Sequence, residues 1–211
     1  MLRNFAVGWV AAGVALAAVQ VHAVSLGFDP AAQTTTVGSS VGVQLRVSDL
    51  VAGGAPSLGE FDLDILFDPV VVSFASVTFG DPGLGDQLDL SGLGSLIGAD
   101  GSVPGQVNLF EVSLDLPSDL DTLQPASFVL ATLTFDAIGA GVSPLTLAIH
   151  AFGDALGDPL AIAALETGEI TVNAAAAIPE PATGLLVGVG GAVMAVCSRR
   201  RLVARLASAE D

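Results

Sequence analysis

GEFDLDILFD, residues 59–68, is the stretch that decides the fold. Phe61, Leu63, Ile65 and Phe67 alternate there with Glu60, Asp62, Asp64 and Asp68. Successive side chains of a strand point to opposite faces, so this period of two predicts a strand with one buried face and most of its acidic face in water. Asp68-Pro69 breaks the run with a turn, and residues 70–79 continue as a second β-rich segment. Upstream, residues 40–47 alternate in the same way, with Val41, Val43, Leu45 and Val47 inward. Downstream, residues 107–116 form a strand whose apolar phase changes near Leu109 and Phe110, which suggests a bulge or burial on both faces. Residues 127–137, 145–152 and 168–173 complete the series.

Turn signals separate these runs, among them Gly53-Gly54, Asp100-Gly101 and Gly139-Ala140-Gly141. No segment combines a 3.6-residue apolar period with helix caps, and no internal repeat is visible. Many short strands without intervening helices predict an all-β fold, an antiparallel β-sandwich. The glycine-rich, acidic residues 80–105 read as a loop or short helix at one end of it.

The two ends of the chain have a different character. Arg3, the apolar residues 5–19 and the small residues around Ala23 have the three-part pattern of a secretory signal peptide, residues 1–23, cleaved after Ala23. Near the other end, Pro179-Glu180-Pro181 precedes an apolar run, residues 182–197, and then Arg199, Arg200 and Arg201. Sixteen residues make a helix of about 24 Å, short for a ~30 Å hydrocarbon core. Arginine snorkelling offsets part of the mismatch. The positive-inside rule puts the arginines in the cytoplasm and the body, residues 24–174, outside. Residues 175–211 thus read as a separate terminal segment with a transmembrane helix and a basic tail.

The body is strongly acidic. Between the two signals one arginine, Arg46, stands against nineteen of the 22 acidic residues, and the chain has no lysine. A net charge of −18 repels nucleic acid and anionic lipid, which excludes nucleic-acid binding. The one cysteine, Cys197, lies in the tail, so the body carries no disulfide.

The residues IPEPATGLLVGVGGAVMAVCSRRR resemble the PEP-CTERM sorting signal of exported proteins of Gram-negative bacteria. The resemblance implies processing by an exosortase, a membrane transpeptidase-like enzyme, with transient residence in the inner membrane and then release or transfer to the surface. The chain departs from the pattern by extending through residues 202–211 beyond the basic cluster. The body resembles a cohesin domain through LGEFDLDILFDPVVVSFASVTFG (58–80), FVLATLTFDAIGAG (128–141) and LETGEITV (165–172). That resemblance implies a nine-stranded jelly-roll sandwich and a role in adhesion or scaffolding by protein–protein contact.

The residues offer little for catalysis. His150 is the one histidine of the body, on the strand face opposite Leu145, Leu147 and Ile149, and reads as a solvated residue. It has no cysteine, lysine or tyrosine beside it to build a nucleophile and base, and one imidazole falls short of a zinc site. Glu60, Asp62 and Asp64 line one strand face as paired carboxylates do in glycosidases. The body, however, has no tryptophan or tyrosine to stack on a sugar. Calcium suits carboxylates better, and Asp81, Asp86 and Asp89, or Asp154 and Asp158, are the candidates. No complete calcium-loop motif is present, and a solvated acidic surface that discourages edge pairing is the alternative.

The expectation is therefore an exported, non-catalytic surface or extracellular-matrix protein with a structural or adhesive role and no obligatory cofactor. A cohesin-type module with a specific protein partner is the alternative, and a secreted polysaccharide-active enzyme the weaker one.

Overall fold

The structure, a computed structural model, describes residues 23–176. Its elements are β1 (Ala23–Asp29), β2 (Ala32–Thr36), β3 (Ser40–Ser48), β4 (Leu58–Leu66), β5 (Val72–Phe79), β6 (Ser95–Asp100), β7 (Gln106–Ser113), α1 (Pro117–Leu123), β8 (Phe128–Ala137), β9 (Gly141–Asp154), β10 (Ala161–Leu165) and β11 (Gly168–Asn173). The expected signal peptide, the Pro-Glu-Pro motif, the expected transmembrane helix over 182–197 and the arginines that follow lie outside the described residues. Among the described residues no helix is long and apolar enough to cross a membrane.

Two sheets form a sandwich, β10-β1-β3-β8-β5 and β2-β11-β9-β4-β7-β6. The alternation at 59–68 has the predicted consequence. Phe61, Leu63 and Ile65 are buried and meet Val43, Leu45, Leu133 and Phe135 in one core cluster. Phe61 stacks on Phe79 of the other sheet at 6.4 Å, and Phe67 meets Phe135 edge-on at 5.2 Å. Each such buried side chain contributes about 1.5–3 kcal/mol of apolar transfer.

The sandwich is not purely antiparallel. β10 runs parallel to β1, and β2 parallel to β11. β1 lies between β10 and β3 in one sheet and β2 is the edge strand of the other, so residues 23–36 contribute to both layers. The eleven strands exceed the nine of the resemblance. Residues 80–105 contain β6, which pairs antiparallel with β7, and the short helix falls later, at α1. Pro117 in its first turn and Asp119 at its positive end favour that helix. It buries only Leu120, too little to leave an apolar period in the sequence.

The bulge expected in residues 107–116 is absent from β7, whose register with β4 is unbroken from Glu60–Val112 to Leu66–Gln106. It lies instead between β4 and β9, where Leu63 pairs with Ile149 and Asp62 with Ala151, leaving His150 as the extra residue. One hydrogen-bonded brace holds α1 to the sandwich. Buried Gln124 accepts from Leu58 N at 2.7 Å and donates to Leu58 O and Gln87 O, each at 2.9 Å. In β3, Arg46 donates to Ser127 Oγ at 3.1 Å and stands 3.7 Å from an Asp29 carboxylate oxygen.

Candidate functional site: an open sheet face and a buried carboxylate

The outer face of β9-β4-β7-β6 is built by the same alternation that fills the core. With Phe61, Leu63 and Ile65 inward, β4 turns Glu60, Asp62 and Asp64 outward. β7 adds Asn108, Phe110 and Val112, and β6 adds Leu96 and Gly98 opposite them. Phe110 lies across Gly98, where a Cβ would come within 2.6 Å of the ring's Cζ. Glycine at 98 is therefore what lets the ring lie flat on the sheet. Phe110 and Leu96 are 39% and 57% exposed, an apolar patch on an otherwise acidic body. A depression of about 190 Å³ runs between Phe110, Val112 and Ala151, with Glu60 and Asp62 on its rim.

Beside the patch lies a polar cluster. Asn108 Nδ2 donates to Asp62 Oδ1 at 2.8 Å and Asp64 Oδ1 at 3.0 Å. His150 Nε2 stands 2.8 Å from Asp64 Oδ2. Two sequence expectations change here. Asp64 is buried, at 8% exposure, because Asn108 and the bulged His150 close over it. His150 is exposed but not merely solvated, since the bulge aims its ring at Asp64. Burial pushes the Asp64 carboxyl up, yet the hydrogen bonds from His150 and Asn108 outweigh it and hold the group below the usual carboxylate range. The Asp64 carboxylate raises His150 above the ordinary imidazole value. Asp64 Oδ1 thus accepts from Asn108 and Oδ2 is paired with His150.

The calcium candidates fall into two turns that use them as acceptors. Asp81 Oδ1 accepts from Gly83 N at 2.7 Å and Leu84 N at 3.0 Å, and its Oδ2 from Val129 N at 3.1 Å. Asp86 Oδ1 accepts from Leu88 N and Asp89 Oδ1 from Gly94 N. Asp154 Oδ1 accepts from Leu156 N and Asp158 N, and Asp154 and Asp158 close a second turn. Among the described residues no three acidic, imidazole or thiol side chains stand close enough together to hold a metal ion as placed.

The residue that sequence reasoning missed is Glu111. It follows Val107 and Leu109 onto the inner face of β7 and is 0% exposed. Ser95 Oγ donates to its Oε1 at 2.7 Å, and Oε2 has no hydrogen-bond partner. Burial pushes its carboxyl up to about 8; the Ser95 bond opposes this, while Asp86 and Asp89 nearby push in the same direction as burial. The signal for it was present, because residues 107, 109 and 111 share one strand phase. The apolar Phe110, Val112 and Leu114 of the other phase masked it.

Solved structures match this sandwich closely in path. A type I cohesin, the seventh of ScaB from Pseudobacteroides cellulosolvens, superposes at a TM-score of 0.54, with 16% identity over 75% of this chain and 97% of that one. The described body has the cohesin fold. A type I cohesin–dockerin complex, Coh-OlpA–Doc918 of Clostridium thermocellum, matches at 0.55, with 10% identity over 72% and 99% of the two chains. The sixth cohesin of scaffoldin B of Acetivibrio cellulolyticus, in complex with a Cel5 dockerin mutant, matches at 0.52, with 15% identity over 72% and 99%. Outside the cohesin-fold body, residues 177–201 match the PEP-CTERM protein-sorting motif and contain Pro179, Glu180, Pro181, Arg199, Arg200 and Arg201. Among curated proteins no sequence matches the chain.

Proposed function

We propose that this chain is an exported, non-catalytic binding module. It is sorted by an exosortase through residues 177–201 and docks a protein partner on the outer face of β9-β4-β7-β6. The observation that carries the docking reading is the apolar patch of Phe110, Leu96 and Val112 on a sheet face left open among the described residues, ringed by Glu60, Asp62 and the Asp64–His150 pair. An aromatic anchor within a polar rim is the composition of a recognition surface. The acidic rim of a body with net charge −18 favours a partner with a basic border around an apolar centre. The cohesin–dockerin complexes of this fold make a dockerin-like protein the first candidate. Adhesion at the cell surface or in the extracellular matrix is the role such a module fills after release from the membrane.

The test is capture of secreted proteins from the host by the full chain, repeated with Phe110→Asp and, on the outer face of the opposite sheet, with Thr134→Asp. One stoichiometric partner lost with Phe110→Asp and kept with Thr134→Asp supports the reading. Equal capture by both variants places the interface elsewhere.

A further inference from the structure

We propose that β6 is a self-pairing edge. Two copies of this chain join antiparallel along residues 95–99, on a two-fold axis through Ile97, and merge their β6 sheets into one. The pairing uses the edge of the sheet rather than its face, so it does not depend on the docking reading.

The case begins with the backbone. β6 is the last strand of its sheet, with β7 as its one neighbour. Leu114 N donates to Gly94 O at 3.1 Å, one pair beyond Ser95–Ser113. Bonded and unbonded pairs alternate along an antiparallel ladder. Leu96, Gly98 and Asp100 therefore turn their amides and carbonyls to β7, and Ser95, Ile97 and Ala99 turn theirs to the open edge.

Folded proteins blunt such edges with charge, proline, bulges or short strands. Among the described residues the other three edges follow this practice. β5 and β10 carry register shifts, and β2 is five residues of Ala, Gln and Thr. β6 has no proline, an unbroken register with β7 and a single charge at its end, Asp100. Leu96 and Ile97 are exposed on its two faces. A strand with apolar side chains on both faces and open backbone groups adds readily to another strand.

The strand is also complementary to itself. Only registers that set odd-numbered residues against odd-numbered ones join the open groups. Centred on Ile97, the pairs are Ser95–Ala99, Ile97–Ile97 and Ala99–Ser95, which makes about six hydrogen bonds. Leu96 then stands opposite Gly98 of the second copy, the one residue on that face of β6 without a side chain, and beside the Phe110 ring that lies across it. Centred on Gly98 instead, Leu96 would face Asp100. At each end of the favoured register Asp100 comes opposite Gly94, whose N–H is held by Asp89. Two carboxylates approach there, so the dimer is strengthened by salt. The isologous pairing consumes the β6 edge of both copies and closes, and it sets two Phe110 patches side by side on one joined sheet.

The test is sedimentation velocity of the full chain in detergent, with salt raised from about 0.1 M to about 1 M, which shortens the screening length from about 10 Å to about 3 Å. A dimer whose share rises with salt and with protein concentration is expected. Ala99→Pro removes one outward N–H and spares the bonds to β7, and Ile97→Lys places a charge at the axis; each should leave the chain monomeric. If Ala99→Pro does not fold, Ile97→Lys, at an exposed position, decides the matter. In a Cys197→Ser background, Ile97→Cys should oxidise to a disulfide dimer, since the paired Cα atoms stand about 5.5 Å apart. Thr34→Cys, exposed on edge strand β2, should not. A monomer at every salt, a dimer that Ala99→Pro and Ile97→Lys leave intact, equal cross-linking through Thr34→Cys, or an edge that captures another protein and no second copy would overturn the proposal.

Discussion

Replacing Glu111 by glutamine should stabilise the protein at neutral pH, and the gain should grow with pH. The carboxyl ordinarily titrates near 4.5 but is pushed to about 8 in the fold. The folded state thus holds a proton that the unfolded chain releases between these values, so stability falls as pH rises through that window. At about 1.4 kcal/mol per unit, the burden is nil below pH 4.5, about 3 kcal/mol at pH 7 and about 4–5 kcal/mol above pH 8. Glutamine has no proton to lose. Its amide oxygen can still accept from Ser95 Oγ, and its nitrogen can donate toward Asp86. Urea unfolding, followed by far-ultraviolet circular dichroism at pH 5, 6, 7 and 8, measures the difference. The two proteins should be of similar stability at pH 5 and should diverge by more than 2 kcal/mol by pH 8. Unfolding free energies that stay parallel across this range would mean that Glu111 is not held protonated by burial, and the reasoning would fail.

Three further outcomes follow from the same contacts. Gln124→Ala strips partners from Leu58 N, Leu58 O and Gln87 O in a buried setting and should cost about 2–4 kcal/mol in urea unfolding; a loss under 1 kcal/mol would mean that water replaces the amide. His150 should titrate above the ordinary 6.5 and return toward it in Asp64→Asn, read from imidazole proton shifts and assigned with His150→Gln. Because Asp64 is lowered and His150 raised, their pairing should be fully present between the ordinary carboxylate value of 3.8 and the ordinary imidazole value of 6.5, and be lost as pH falls through the lowered Asp64 value or rises through the raised His150 value. Gly98→Val should force the Phe110 ring off the sheet, lowering Tm and weakening partner capture together, whereas Gly42→Val, exposed on β3 of the other sheet where a Cβ meets nothing closer than 3.9 Å, should affect capture little.

The core strands were legible because their alternation is clean. Val41, Val43, Leu45 and Val47 are buried in β3 as their period requires, and Gly168–Asn173 forms the last strand where its pattern places it. β6 escaped notice because Gly94 and Gly98 flank and interrupt a six-residue edge strand that has little side-chain pattern. The parallel pairings of β1 and β2 are set by long-range closure, to which local periodicity is blind. The outward row Glu60, Asp62 and Asp64 was legible, but the burial of Asp64 was not. It depends on Asn108 and His150, which are 44 and 86 residues away in sequence.

Arg46 gives the body an unusual relation to proteases. It is the one arginine among residues 24–178, and the chain has no lysine, so a trypsin-like enzyme has one bond to attack there. That bond lies inside β3, which is hydrogen-bonded on both sides to β1 and β8, and its side chain is tethered to Ser127. Cleavage requires β3 to leave the middle of its sheet, an opening close to global unfolding. Nicking at Arg46 would therefore count unfolded molecules one by one, while the folded body passes intact through an environment rich in such enzymes.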